Sequence, residues 1–312
     1  MDLSILIISY NTKDILKSCL ESIFRFTRGF NFEVIVIDNH SNDGSPEMIK
    51  KNFPQVRLLL NSNNQGFSKA VNKGIKISSA EYFLVLNSDT LIIDNSIRAL
   101  WEFLVSHKDV AVVGPKLLNP DYSLDLSCVH FHNFLNVFFP CLPILKRFVP
   151  KVFIPNIKDK HFYSSLREVD WMSGACFMFS KEILIELKGL DDRFFLYCEE
   201  EDFCYRAKEL GWKIIYYPRA KVIHIGQASS LPVSNAAFQQ LFYSLFLFFE
   251  KHYGKFYAIT FRSTMMCLMP LNIIVFKLLA VVHKKDSMFY KVAEHRSRLI
   301  FKAYQPGRKK FF

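Results

Sequence analysis

The chain contains no C-x-x-C pair, and its seven cysteines are scattered and odd in number. That excludes a disulfide framework or a zinc ribbon and fits a reducing compartment. Neither G-x-G-x-x-G nor G-x-x-x-x-G-K-[ST] occurs, so there is no dinucleotide fingerprint and no P-loop. No basic region precedes the first apolar run. LSILIISY is short and passes straight into polar residues, so the N-terminus is expected to stay in the cytoplasm. Net charge is also missing from most of the chain. The first 250 residues carry 27 basic and 27 acidic side chains, and the formal +11 lies wholly beyond them. A catalytic part without net charge argues against nucleic acid as its partner and for a separate anionic partner of the tail.

What is present is a repeated unit of strand, polar loop and helix. Half of the 312 residues are apolar, enough for a sizeable core. Leu3 to Ile8 reads as a strand ending in Ser9-Tyr10-Asn11. Ile15, Leu16, Cys19, Leu20 and Ile23 then recur at helical spacing. Phe32 to Ile37 is a second strand, followed by Asp38-Asn39-His40-Ser41-Asn42-Asp43-Gly44-Ser45. Val56 to Leu60 is a third, followed by Asn61 to Gly66 and a helix through Phe67, Ala70, Val71, Gly74 and Ile75. This alternation predicts a mostly parallel α/β sheet flanked by helices.

The fourth strand, in EYFLVLNSDT (81–90), is an unbroken apolar run stopped by Asn87-Ser88-Asp89. Ligands of open α/β sheets sit beyond the carboxyl ends of the strands, where Asp89 could hold a hard cation against nucleotide phosphates. Taken alone, a triplet of this kind reads more readily as a turn with Asp89 capping a helix, and the rest of the chain reverses that preference.

Val110 to Gly114 is a fifth strand. Residues 116–167 lack clean periodicity and read as an insertion or lid, in which His130 and His132 are unassigned. Order returns at EVDWMSGACFMF (168–179), where Gly174-Ala175 implies close backbone approach to a ligand or a neighbouring strand. Glu199, Glu200, Glu201 and Asp202 then open a helix. By phase, Phe203, Cys204, Ala207 and Leu210 form its apolar face and Glu199 and Glu200 point inward. Glu201 and Asp202 are expected outward, Asp202 pairing with Arg206. Crowding and burial should raise an inward carboxyl's pKa, as a general base near neutrality requires. Trp212–Tyr217 and Lys221–Ile223 read as two short strands. His224 follows, the one imidazole positioned to help Asp89 hold a metal.

Taken together these residues resemble the family 2 glycosyltransferases of GT-A fold, in particular the rhamnosyltransferase-like branch of bacterial surface polysaccharide synthesis. The resemblance rests on order and spacing from Leu3 to Gly254. It includes Ile8-Ser9-Tyr10-Asn11, Ile37-Asp38-Asn39 through Ser45, Asn64-x-Gly66-Phe67 through Ile75, and Asn87-Ser88-Asp89. Ser173-Gly174-Ala175, the segment Phe194 to Asp202 with Arg206, and His224 complete it. It implies that Asp38 bonds the base, that Ser9, Tyr10 and Asn11 contact the nucleoside, and that Asn64, Gly66 and Asn72 shape the donor pocket. Asn87-Ser88-Asp89 fills the place of the D-x-D motif, with Asn87 in place of the first acid. Asp89 and His224 are then the protein ligands of Mg2+ or Mn2+. Of Glu199 and Glu200, the second is implied as the catalytic base of an inverting transfer. Gly174, Ala175 and Trp171 face the acceptor, Trp171 as a stacking platform or else as a core residue. A dTDP- or UDP-linked sugar, rhamnose in this branch, and a glycan or polyprenyl-diphosphate-linked acceptor are the implied substrates.

Two other classes share some of these features. A sugar nucleotidyltransferase needs a Gly-rich, Lys/Arg-bearing phosphate loop that Ser9-Tyr10-Asn11 does not supply. A non-catalytic sugar-nucleotide-binding protein has no need of an inward acid near a metal ligand. The expected organisation is a catalytic domain over 1–254 and a helical tail over 255–312. The first comprises a nucleotide half (about 1–115), the lid (116–167) and an acceptor half (168–254). The tail carries an apolar stretch at 264–282, interrupted by Pro270, Asn272 and Lys277, followed by basic residues. It is expected to lie as an in-plane element on the anionic cytoplasmic leaflet, holding the enzyme peripherally at the inner membrane face.

Overall fold

The computed structural model describes residues 1–141, 157–226, 235–282 and 287–304. The apolar runs form β1 (Leu3–Ser9), β2 (Phe32–Asp38), β3 (Arg57–Leu60) and β4 (Tyr82–Asn87). β1 lies between β2 and β4, parallel to both, and β2 is parallel to β3. Successive side chains point to opposite faces. Ile5, Ile7, Leu84 and Leu86 share one core layer with residues of α1 (Lys13–Phe26), α2 (Ser45–Asn52) and α4 (Ser96–Ser106). Leu6, Ile35, Ile37 and Val85 share the other with α3 (Phe67–Ile77), α6 (Lys181–Leu187) and α7 (Glu199–Glu209). Burial on both faces is why these strands read as continuous apolar runs.

Beyond β4 the sheet is mixed. The further strands are β5 (Thr90–Ile92), β6 (Val110–Leu118), β7 (Cys128–Val129), β8 (Arg167–Glu168), β9 (Trp171–Met172), β10 (Cys176–Ser180) and β11 (Lys213–His224). The strand order is β3-β2-β1-β4-β10-β6-β11-β5, with β8 beside β11, while β7 and β9 form a separate ribbon. β10 runs antiparallel to both neighbours, β4 and β6. This is the mostly parallel α/β architecture expected from the sequence.

Three details differ from that reading. The two short strands expected at 212–223 are one strand, β11, whose register against β6 shifts between Tyr217 and Lys221, around Pro218. EVDWMSGACFMF is broken into β8, β9 and β10, with Gly174-Ala175 in the turn before β10. Leu210, assigned to the apolar face of α7, is 52% exposed, because the helix ends one residue earlier.

Contacts divide the chain into two compact units: Met1–Phe131, Asn156–Phe195 and Glu199–Leu231 in one; His132–Pro155, Leu196–Cys198 and Pro232–Phe312 in the other. The second contains α5 (Phe134–Phe138), α8 (Asn235–His252), α9 (Lys255–Val282) and α10 (Ser287–Ala303). α8, read from sequence as the end of the acceptor half, thus groups with the C-terminal helices. α9 continues through Pro270 and, among the described residues, is the one helix long and apolar enough to cross a membrane. Ala258, Phe261, Met265, Met269 and Phe276 bury one face of it. Leu271, Ile274, Leu278 and Val281 leave an equally apolar face more than half exposed.

The connection from β3 to α3 depends on Gly66. Its φ is +84°, and a Cβ there would lie 2.4 Å from the Phe195 carbonyl oxygen, which already accepts the Phe67 N–H at 2.7 Å. Gly66→Ala is therefore expected to lower folding stability by about 1–3 kcal/mol. An unchanged thermal midpoint would show that this loop does not bear on Phe195.

Candidate active site

The polar loops at the carboxyl ends of β1 to β4 are tied to one another by short hydrogen bonds. Asn11, in the left-handed region at φ +54°, donates its N–H to Ser41 Oγ at 2.8 Å and accepts the Asn42 N–H at 2.9 Å. The Lys13 N–H donates to Asp43 Oδ2 at 2.8 Å. Asp38, at the end of β2, is buried. Its Oδ1 accepts the Ser41 N–H, and its Oδ2 has no hydrogen-bond partner among the described residues. A buried carboxylate oxygen without a donor carries a desolvation penalty, which a ligand N–H would relieve. Ser9 is buried beside Thr12, whereas Tyr10 stands 41% exposed at the rim.

A second network reaches the loop after β3. Asn64 Oδ1 accepts the Gly66 N–H, and Asn39 Nδ2 donates to the Gly66 carbonyl. Asn61 donates to Asn39 and accepts from Lys73 at 2.7 Å. Asn39, Asn61 and Lys73 had no assigned role in the sequence reading. Asn72, expected at the donor pocket, is a brace. Its amide donates to the Leu190 carbonyl and to Asp192, and accepts the Leu190 N–H, clamping the 190–192 loop against α3.

The residues proposed to hold a metal converge. β5 and β11 pair so that His224 lies opposite Thr90, and the Ile225 N–H donates to the Asp89 carbonyl at 2.8 Å. Asp89 is buried, and its Oδ1, 3.6 Å from His224 Nε2, has no hydrogen-bond partner among the described residues. His224 Nδ1 lies 3.2 Å from Asp125 Oδ2. Asp125 was not anticipated: it lies in the aperiodic stretch read as a lid, and only the fold brings it to His224. Burial opposes charge on this imidazole, but the hydrogen bond to Asp125 and the negative charges of Asp125 and Asp89 outweigh it and lift the pKa to about 9.

No group of three or more His, Cys, Asp or Glu side chains able to hold a metal occurs among the described residues. One carboxylate oxygen and one imidazole nitrogen, facing each other beyond hydrogen-bond distance, nevertheless fit a divalent cation whose other ligands are phosphate and water. Asn87 and Ser88 border this point, half-buried and buried respectively.

The acid helix is joined to the same sheet edge. The Asn87 N–H donates to the Ala175 carbonyl at 2.9 Å. One residue back, the Gly174 N–H donates to Glu200 Oε1 at 3.1 Å. A Cβ at Gly174 would meet that oxygen at 3.0 Å. Asp89 and Glu200 thus stand on one rim, connected through Asn87, Ala175 and Gly174. Glu199 is buried, and Oε2 lacks a hydrogen-bond partner among the described residues. Burial first, and the Glu200 charge second, push its carboxyl well above the usual range.

The outward orientation expected for Glu201 and Asp202 is wrong, since both are fully buried. Asp202 does pair with Arg206, at 2.9 Å. That guanidinium also donates to the Leu187 and Gly189 carbonyls, which draws the pair into the interior. Trp171 is in the core, 9% exposed, with its indole N–H on the His130 carbonyl at 3.2 Å; it is not an open stacking platform.

The chain belongs to glycosyl transferase family 2, whose model matches residues 4–187. An N-acetylglucosaminyl-diphospho-decaprenol L-rhamnosyltransferase of Mycobacterium tuberculosis is 28% identical over 210 residues. The match covers 61% of this chain and 66% of the relative, so the chain spans just under two thirds of that protein's length. The low-salt glycan biosynthesis hexosyltransferase Agl10 of Haloferax volcanii is 26% identical over 256 residues, covering 81% of this chain and 74% of that one. Among solved structures, the mannosyltransferase PcManGT of Pyrobaculum calidifontis, in complex with GDP-Man and Mn2+, superposes with a TM-score of 0.58. It is 14% identical, with 96% of this chain and 85% of that chain covered. The shared fold is GT-A.

The buried Glu199 carboxyl gives a stability test. With its folded pKa raised, its contribution is complete below the ordinary glutamate pKa and is lost as pH rises toward the raised value. Glu199→Gln should therefore stabilise the protein at pH 8 by something on the order of 1 kcal/mol, with the gain shrinking toward pH 4. Urea unfolding at the two pH values decides it; a gain independent of pH would place the ionisation elsewhere.

Proposed function

We propose that this chain is an inverting glycosyltransferase. It moves a sugar, rhamnose in the first reading, from a dTDP- or UDP-linked donor to a hydroxyl of a glycan or polyprenyl-diphosphate-linked acceptor. The observation that carries this reading is the hydrogen bond from the Gly174 N–H to Glu200, on the rim that also holds Asp89 and His224.

Asp38 receives the N–H edge of the base, with Tyr10 and Asn11 at the nucleoside. Glu200, oriented by the Gly174 amide, takes the proton of the acceptor hydroxyl as that oxygen attacks the anomeric carbon. The bond to the diphosphate breaks on the opposite side, so this single displacement inverts the anomeric centre. A divalent cation, Mg2+ or Mn2+, held by Asp89 and His224 would neutralise charge on the leaving diphosphate. Asp125 fixes the imidazole through Nδ1 and so presents Nε2 toward Asp89.

The acceptor class is supported by the decaprenol-linked substrate in the name of the mycobacterial relative. Residence at the inner membrane face is supported by the exposed apolar face of α9 and by the thirteen Lys/Arg against two Asp/Glu from Lys251 onward. Such a surface favours an anionic leaflet by roughly 1 kcal/mol per basic residue near it.

Glu200→Gln is expected to reduce transfer by about 10²–10⁴-fold while donor affinity is retained; turnover near wild type would remove Glu200 from the role. Asp125→Asn should weaken Mn2+ binding about tenfold or more, measured by calorimetry with the nucleotide diphosphate present. An unchanged Mn2+ affinity would separate Asp125 from the metal ligand.

A further inference from the structure

The C-terminal unit contains a cavity of about 540 Å³ that plays no part in the chemistry above. Phe238 and Phe242 of α8, Val137 of α5, and Ala293 and Ile300 of α10 line it. In α10 the lining positions 293, 296, 297 and 300 fall on one helical face. The volume is that of a small-molecule site, which ranges over about 300–1,000 Å³. One wall carries a cation. Arg296 lines the cavity, is exposed, and has no carboxylate partner among the described residues, whereas nearby Arg298 is paired with Glu294 at 2.7 Å.

A mostly apolar cavity, with His132, Asn136 and Ser297 also on its lining and one guanidinium that has no carboxylate partner among the described residues, matches an amphiphile: a hydrocarbon chain joined to a phosphate or diphosphate. A purely apolar occupant would make no use of Arg296, which water already solvates, and a free nucleotide would leave the apolar walls unfilled. The same unit exposes the apolar face of α9, a surface suited to the lipid phase where such molecules reside. We infer that this cavity binds the isoprenoid diphosphate end of the lipid-linked acceptor, with the chain between α8 and α10 and the diphosphate at Arg296. The identity of the lipid rests on the glycosyltransferase reading; the chemistry of the cavity does not.

The test uses the full chain in mild detergent with farnesyl diphosphate as probe, titrated calorimetrically beside farnesol and phosphatidylglycerol. Arg296→Glu should weaken farnesyl diphosphate at least about tenfold and leave farnesol within about twofold, because only the head group is affected. Ala293→Trp, which fills the cavity, should weaken both ligands. Each variant should retain wild-type affinity for the nucleotide-sugar donor. Equal farnesyl diphosphate affinity in wild type and Arg296→Glu would overturn the site even if Ala293→Trp fails to fold. Competition by phosphatidylglycerol as strong as that by farnesyl diphosphate would overturn the choice of isoprenoid. If wild type binds farnesyl diphosphate but no dTDP- or UDP-sugar, the cavity assignment stands and the glycosyltransferase reading falls.

Discussion

The arrangement of the rim depends on one constraint, the insertion of β10 antiparallel between β4 and β6. A parallel strand in that position would start at the opposite edge of the sheet. Because β10 runs backward, the turn that precedes it arrives beside the end of β4, where Asn87 and Ala175 exchange a backbone hydrogen bond. That turn gives α7 its anchor, since the Gly174 amide is left pointing at Glu200. Glycine leaves room there: a Cβ would lie 3.0 Å from the Glu200 carboxylate oxygen, which would have to shift. The separation between the Asp89–His224 end of the rim and the acid end is therefore set by backbone pairing, which is stiffer than any side-chain contact.

A second constraint is electrostatic. Glu199, Glu201 and Asp202 are buried and Glu200 is partly so, in a unit without excess positive charge. The N-terminus of α7 favours negative charge, but only modestly. Asp202 is compensated by Arg206, whose remaining donors hold the 187–189 turn, so the pair also fixes the approach to α7. Glu199 answers the same problem by a raised pKa. The turn just before it is strained as well, with Tyr197 and Cys198 both at positive φ. Non-glycine residues in that region are held there by their surroundings, a cost commonly found at functional sites.

The strands, the βα alternation and the polar edge were legible because burial on two faces writes itself as apolar runs, and catalytic loops as the breaks between them. The pairing of Asp89 with His224 was anticipated from their places after strands and from the resemblance; what accounts for it is the register of β5 on β11. Asp125 was invisible, since a lone aspartate in an aperiodic stretch has no periodicity to report its partner. Helical phase misplaced Glu201 and Asp202 because it assumes a helix with one wet side, whereas Arg206 carries Asp202 inward. Trp171 and Asn72 were assigned to ligands, yet their polar groups are engaged by the fold itself.

The two units divide the physical tasks in a way composition had already marked. The first balances its charges and concentrates polar groups at one sheet edge, which suits a small, highly charged donor that must be bound and released. The second carries the positive excess and a helix apolar on opposite faces, one packed and one bare. A helix apolar all round is stable only when its outer face meets another apolar phase. In water the bare face of α9 would be a liability, while against lipid it is a solvated surface. Since a cation with no carboxylate partner among the described residues lines a cavity in that same unit, the proposed encounter with anionic amphiphiles accounts for these features together.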